Sequence, residues 1–150
     1  LMSERWTPHA TVATIVEHEG RFLMVEEISL GLQVINQPAG HIEEGETIVA
    51  AARRETLEET GWLVEPEGLV GLYTYTAPAN QVTYHRYCLF AKALNAVDGA
   101  VLDDGIIGPH WLTIDELRVS TQLRSPMVLT CIEDYLAGKR YPLDVIVEHP

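Results

Sequence analysis

The sequence predicts an α/β protein, an αβα sandwich with a central mixed sheet and helices on both sides. Three observations predict it. Segments rich in β-branched and aromatic residues recur along the chain, separated by Gly, Pro, Asn and Asp. An Ala-, Leu- and Glu-rich stretch with helical spacing interrupts them, and an apolar helical stripe follows near the end. Strands, a helix, more strands and a terminal helix stack as layers around one core. With 150 residues the chain forms a single domain, 1–150, long enough to bury a sizeable core.

In chain order, Met2 reads as the natural start, with Leu1 an addition before it. His9 to Val16 is rich in β-formers, Gly20 marks a turn, and Arg21 to Val25 completes a hairpin. Gln33-Val34-Ile35 is a short extended piece ending at Asn36-Gln37-Pro38, because proline disfavours helix for the residue before it. Thr47 caps a helix of about three to four turns that closes at Gly61. Leu63-Val64-Glu65 alternates and stops at Pro66-Glu67-Gly68. Leu69 to Thr76 and Val82 to Leu94 form a second hairpin about the turn Ala77-Pro78-Ala79-Asn80. Asp98-Gly99 and Asp103-Asp104-Gly105 punctuate a loop, and Gly108 to Leu112 is a short strand. Thr113 caps a brief helix through Leu117, with Glu116 as its capping-box partner. Ser125-Pro126 opens the last helix, whose core stripe is Met127, Leu129, Ile132, Tyr135 and Leu136.

The stretch from Gly40 to Trp62 carries the chemistry. At about 100° per residue, Glu55, Glu58 and Glu59 fall within an arc of roughly 100°, while Val49, Ala52, Thr56 and Leu57 cluster on a different face. Like charges at this spacing destabilise an isolated helix by roughly 0.2–0.5 kcal/mol per pair. Arg54 neutralises part of that charge. A hard divalent cation is the natural remainder, since Mg²⁺ takes carboxylate oxygens together with substrate phosphates and water.

Composition narrows the partners. A net charge of −12 offers no basic stripe for counterion release, which argues against a nucleic acid polymer but not against a small phosphorylated ligand. No apolar run reaches membrane-span length and no leader pattern opens the chain, so the reading is a cytoplasmic protein without a membrane partner. Cys88 and Cys131 read as two reduced, packed thiols.

In spacing, the stretch is Gly40, five residues, Glu46, seven residues, Arg54-Glu55, two residues, Glu58-Glu59, one residue, Gly61 and an apolar Trp62. It resembles the signature box of the Nudix hydrolases, with Thr56 standing where an aliphatic residue is usual. The resemblance implies the αβα Nudix fold and a hydrolase that cleaves phosphoanhydrides with Mg²⁺, for which Mn²⁺ substitutes. By the same resemblance Glu58 and Glu59 match the principal metal ligands, Glu55 a further ligand, and Gly40 a carbonyl contact. Arg54 matches the arginine that orients a box carboxylate, and Glu46 a structural ion-pair partner. The general base stays open between Glu55 and Glu59 in the box and Asp103 and Asp104 in the later loop.

Outside the box, Arg86 reads as a phosphate contact or a surface charge, and Arg124, just before a helix N-terminus, as a second phosphate contact. Tyr73 and Tyr75 alternate on one face, either stacking on a flat ring or packing in the core. His41, after the box glycine, and His9 are further substrate-binding candidates. The motifs Asn36 to His41, Leu123 to Pro126 and Lys139 to Leu143 resemble one bacterial phosphatase branch of the family, over about His9 to Ile146. That likeness implies release of phosphate from nucleoside tri- and diphosphates and hydrolysis of hydroxymethylpyrimidine pyrophosphate and thiamine pyrophosphate. The alternative is a nucleotide-binding or regulatory module without catalysis, against which the three crowded carboxylates argue. A monomer is favoured over a homodimer.

Overall fold

The computed structural model describes residues 4–149; Met2, read as the start, lies outside them. Its strands are β1 (His9–His18), β2 (Arg21–Ser29), β3 (Leu32–Asn36), β4 (Ala39–His41), β5 (Trp62–Thr76), β6 (Thr83–Ala96), β7 (Ile106–Thr113) and β8 (Tyr141–Pro142). Its helices are α1 (Ile48–Thr60), α2 (Ile114–Val119) and α3 (Pro126–Leu136), with a short 3₁₀ turn at Leu143–Val145. The sheet runs β3-β2-β1-β6-β5-β8, with β4 also pairing β1 and β7 also pairing β2. β1 and β6 are parallel, whereas β1 is antiparallel to β2 and β4. The sheet is therefore mixed, as the sequence predicts.

β1 is central because it is apolar on both faces. Thr11 to Val16 is buried without a break, the pattern of a strand covered on two sides. Ala13 and Ile15 pack with Val128, Cys131 and Ile132 of α3 and Leu117 of α2. Val12, on the opposite pleat, packs with Ala51 and Ala52 of α1 and Leu89 of β6. Helices cover both sides of the sheet.

Local signals set most boundaries. The Thr47 hydroxyl accepts from the Ala50 N–H at 3.1 Å, and Gly61 closes α1 in the left-handed region at φ 74°. Thr113 and Glu116 form the full capping box of α2. Ser125 is the N-cap of α3 with Pro126 in the first turn, but its hydroxyl makes no capping bond. Cys88 and Cys131 are free and buried.

Two expectations are corrected. Pro66-Glu67-Gly68 does not end a strand, because β5 continues from Trp62 to Thr76 and absorbs irregularities at Leu63/Val64, Pro66/Gly68 and Leu69/Gly71. Register shifts accommodate a proline without N–H and bend the strand instead of breaking it. On α3 the core stripe is Val128, Cys131, Ile132 and Tyr135, whereas Leu136 is 41% exposed and Met127 and Leu129 are half-buried. Ile132 and Tyr135 belong to both stripes, so the helix is turned by about half a residue step from the expected phase, with the equally apolar Val128 and Cys131 meeting the Ala13 and Ile15 face of β1.

Gly20 and Gly61 both have φ near +75°, but a Cβ meets nothing at Gly20 and meets the Ala100 Cβ at 3.3 Å at Gly61. Gly20→Ala should cost about 1 kcal/mol of backbone strain, and Gly61→Ala more than that, in urea denaturation. Equal losses would mean that the Ala100 contact adds nothing.

Candidate active site

α1 buries the side of itself that carries charge. Glu55 and Glu59 are each 9% exposed and lie among buried Ala51, Ala52, Thr56 and Thr60, while Val49 and Leu57 are half-buried. The expectation that the carboxylates occupy a face apart from the packed one is corrected. Ala51 and Ala52 pack fully buried against Val12, Leu69 and Leu89 of the sheet, and the glutamates on the same side of the helix are covered with them. Thr56 fits there because its hydroxyl donates to the Ala52 carbonyl at 2.7 Å, so no buried hydroxyl is left unpaired.

Arg54 organises the acids. Its Nε and Nη2 clamp Glu46 at 2.6 and 2.9 Å, and Nη1 donates to Glu55 at 2.7 Å and Glu58 at 3.1 Å. Nη2 also reaches the His41 carbonyl at 3.1 Å, which ties α1 to β4. The Arg54 bond holds the Glu46 carboxyl below its ordinary range. Burial pushes Glu55 up, with Arg54 opposing. Glu59 has only the Ala39 N–H, at 2.8 Å, to stabilise its charge, and burial pushes it up to about 9.

Carboxylate oxygens of Glu55, Glu58 and Asp103 all lie within 4.8 Å of one another. Asp103 arrives on the loop between β6 and β7, whose Asp103 N–H donates to the Glu58 carbonyl at 3.0 Å. Gly40 faces this cluster across β4, and a Cβ there would fall on the Glu55 carboxyl. The donor set is all hard oxygen, convergent and outnumbers its one cation, which fits a divalent metal such as Mg²⁺. Glu59 stands outside that trio, turned toward Ala39. Asp104 is exposed and also outside it.

A pocket of about 450 Å³ opens beside Gly40 and brings His41, Tyr75, Arg86 and Arg124 to one surface. Sheet register explains the grouping. His41, Thr11, Arg86 and Tyr73 are aligned across β4, β1, β6 and β5, and His9, Tyr84 and Tyr75 form the next row. Tyr73 packs against the core and donates to Asp134 at 2.7 Å, while Tyr75 lines the pocket. The surface-charge reading of Arg86 is corrected: it is 5% exposed, held by Gln37 at 3.0 Å and Asn36 at 3.3 Å. Arg124 is exposed at the mouth and pairs with Glu27 at 2.8 Å. His41 and His9 bond to each other at 2.9 Å, and burial, then His9 and Arg124, hold His41 below its ordinary value.

Sequence reasoning missed Asn36 and Tyr84 as parts of this surface, and Gln37 and Glu27 as the partners that hold Arg86 and Arg124. Asn36 and Gln37 were legible as the end of a strand before Pro38 and as part of a family motif, neither of which assigns them a partner, and Glu27 carries no local signal. Asp103 was noted for proton transfer rather than as a ligand.

The folded chain keeps a proton on Glu59 that the unfolded chain releases as pH rises from 4.5 to about 9, so stability is lost over that window. Glu59→Gln has no such proton to lose. In chelator-treated protein its melting temperature should exceed that of the wild type at about pH 8, with the gap closing toward about pH 4. A gap that does not change with pH would contradict this account of Glu59.

Comparison with known proteins agrees with this geometry. The family model described as NUDIX domain matches residues 6–129. The chain is 41% identical over 140 residues to the Phosphatase NudJ of Escherichia coli K12, covering 93% of this chain and 90% of that protein. The Phosphatase NudJ of Shigella flexneri matches equally. A NUDIX hydrolase structure from Nitrosomonas europaea superposes with a TM-score of 0.93 at 44% identity, covering 95% of this chain and 98% of that one. A MutT NUDIX hydrolase from Burkholderia pseudomallei shares the fold at a TM-score of 0.74 and 19% identity, over 86% of this chain and 98% of that one. The chain belongs to the NUDIX domain family and is a hydrolase of that family.

Proposed function

We propose that this chain is a Mg²⁺-dependent phosphatase that releases terminal phosphate from nucleoside tri- and diphosphates, and acts on hydroxymethylpyrimidine pyrophosphate and thiamine pyrophosphate. Mn²⁺ substitutes for Mg²⁺. The observation that carries the reading is the convergence of Glu55, Glu58 and Asp103 beside a pocket that also presents Arg86 and Arg124. The 41% identity to Phosphatase NudJ supports the phosphatase form over other Nudix reactions.

Glu55, Glu58 and Asp103 would hold the metal, with Glu59 and the Gly40 carbonyl adjoining. When bound, the metal neutralises charge on the phosphoryl oxygens and activates water. The chain's own residues do the rest. Arg54 fixes Glu55 and Glu58 through its clamp on Glu46, so the carboxylates need not reorganise during reaction. A box carboxylate or Asp103 accepts the proton of the attacking water; Asp104, exposed and apart, is the weaker candidate. Arg124 shifts from Glu27 to grip substrate phosphate, and His41 adds a donor at the mouth. The buried free thiols suit a reducing compartment, in keeping with a cytoplasmic protein, and the proposed state is a monomer. Among the described residues, no helix is long and apolar enough to cross a membrane.

Phosphorus NMR should show orthophosphate released from nucleoside di- and triphosphates and thiamine pyrophosphate, with sugar nucleotides left intact, and only with Mg²⁺ or Mn²⁺ present. Monophosphate plus pyrophosphate would overturn the phosphatase form, and no turnover of any compound the enzyme reading. Arg124→Ala should raise KM about tenfold with kcat little changed, as for a charged contact made equally in ground and transition states. An unchanged KM would return Arg124 to a role in the Glu27 pair alone.

A further inference from the structure

The inner end of the pocket differs in chemistry from its mouth. At the mouth stand Gly40, His41 and the exposed Arg124; deeper in, the floor is Arg86 with Asn36. Arginine only donates, so its bonds to Gln37 Oε1 and Asn36 Oδ1 fix the orientation of both amides. The Gln37 amide nitrogen is spent on the Val128 carbonyl. The Asn36 amide nitrogen and the Arg86 Nε have no hydrogen-bond partner among the described residues, yet no side-chain nitrogen or oxygen there is both fully buried and unpaired. Both atoms therefore keep some accessible surface, and both residues line the pocket. The floor offers donors, and Arg86 is held by amide oxygens and the Cys131 sulfur, with no carboxylate among these partners.

The walls around this floor are flat or apolar. Tyr84 and Tyr75 face each other in register on β6 and β5, and Val34, Pro78 and Met127 also line the space. Arg86 lies two strands from His41, across β1, a Cα separation of about 10 Å. That places Arg86 away from the Gly40 end, where the reacting phosphate belongs, and leaves Arg124 as the cation at the mouth.

We propose that Arg86 and Asn36 read the edge of a flat heteroaromatic ring in the substrate, which turns carbonyl oxygen or ring nitrogen acceptors to them and lays its face against Tyr84 and Tyr75. The inference rests on the phosphatase reading for the orientation of the substrate. It assigns Arg86 to the organic group of the substrate and Arg124 to its phosphates. A volume of about 450 Å³ admits such a ring with a short linker. Specificity follows from the cost of leaving buried donors unpaired: a compound with the same phosphates and no acceptor edge displaces pocket water and returns nothing to Arg86.

The test is a titration of ¹⁵N-labelled protein, following the Arg86 Nε–H and Asn36 side-chain amide signals. The probes are the four common ribonucleosides and thiamine, all without phosphate, and inorganic pyrophosphate. At least one ring compound should shift both signals at millimolar concentration, and pyrophosphate should leave them in place. Tyr84→Ala, at a half-buried position, should weaken that ring compound about tenfold. Arg86→Met should abolish the Asn36 shift, with folding checked by the remaining spectrum; should it fail to fold, the Tyr84→Ala result decides. Shifts with pyrophosphate alone, no response to any ring compound, or an unweakened Tyr84→Ala would overturn the proposal. None of these titrations needs turnover, so a protein that binds the ring and hydrolyses nothing counts against the phosphatase reading and not against this one.

Discussion

One guanidinium governs the site. Arg54 clamps Glu46 with two nitrogens and reaches Glu55 and Glu58 with the third, so the acids of a single helix face are held together by the group they share. Without it, carboxylates at helical neighbour spacing repel, and α1 would carry that repulsion into the core. The bond from Arg54 to the His41 carbonyl extends the same constraint to β4. Helix and strand are thereby fixed with Gly40 between them, and the remaining features of the site are positioned from that join.

The sheet supplies the second half. β1 is antiparallel to β4 and parallel to β6, so the residues aligned across it come from segments far apart in sequence. Two successive cross-strand rows put His41, Thr11 and Arg86, then His9, Tyr84 and Tyr75, on the α3 side. α1 and the acids that face Gly40 belong to the other side. Gly40 is where the two sides meet, and it lacks a side chain because the Glu55 carboxyl occupies the space. The pocket on one side of the sheet and the acidic cluster on the other therefore adjoin only at this strand.

What was legible in the sequence was whatever local chemistry dictates. Thr47 and Gly61 bound α1, and Thr113 with Glu116 caps α2, because caps are decided by a few consecutive residues. The spacing of Glu55 and Glu58 placed two members of the acidic cluster for the same reason, whereas the third, Asp103, comes from a distant loop and Glu59 turns toward Ala39. Long-range effects were not legible. The burial of Arg86 depends on Asn36 and Gln37, about fifty positions earlier, and on Cys131 of α3, so nothing beside it in sequence separates a buried cation from a surface one. Pro66 and Gly68 read as a stop because local propensity favours a break, while pairing with β6 and β8 carries the strand through. The phase of α3 was missed because Val128 and Cys131 are as apolar as Met127 and Leu129, so apolar spacing alone leaves two adjacent faces open.

The third carboxylate of the acidic cluster is delivered by a tether. Glu55 and Glu58 are set by helical geometry, but Asp103 is carried on the β6–β7 loop and moored by one backbone bond to the Glu58 carbonyl. Two of the three oxygen donors are thus inherited with the helix, and the third is adjustable by loop length and composition. Changes of length or composition within residues 97–105 would therefore move the third carboxylate against two that stay fixed, and would be felt at the end of α1, where the Val97 and Asp103 N–H groups bond the Gly61 and Glu58 carbonyls.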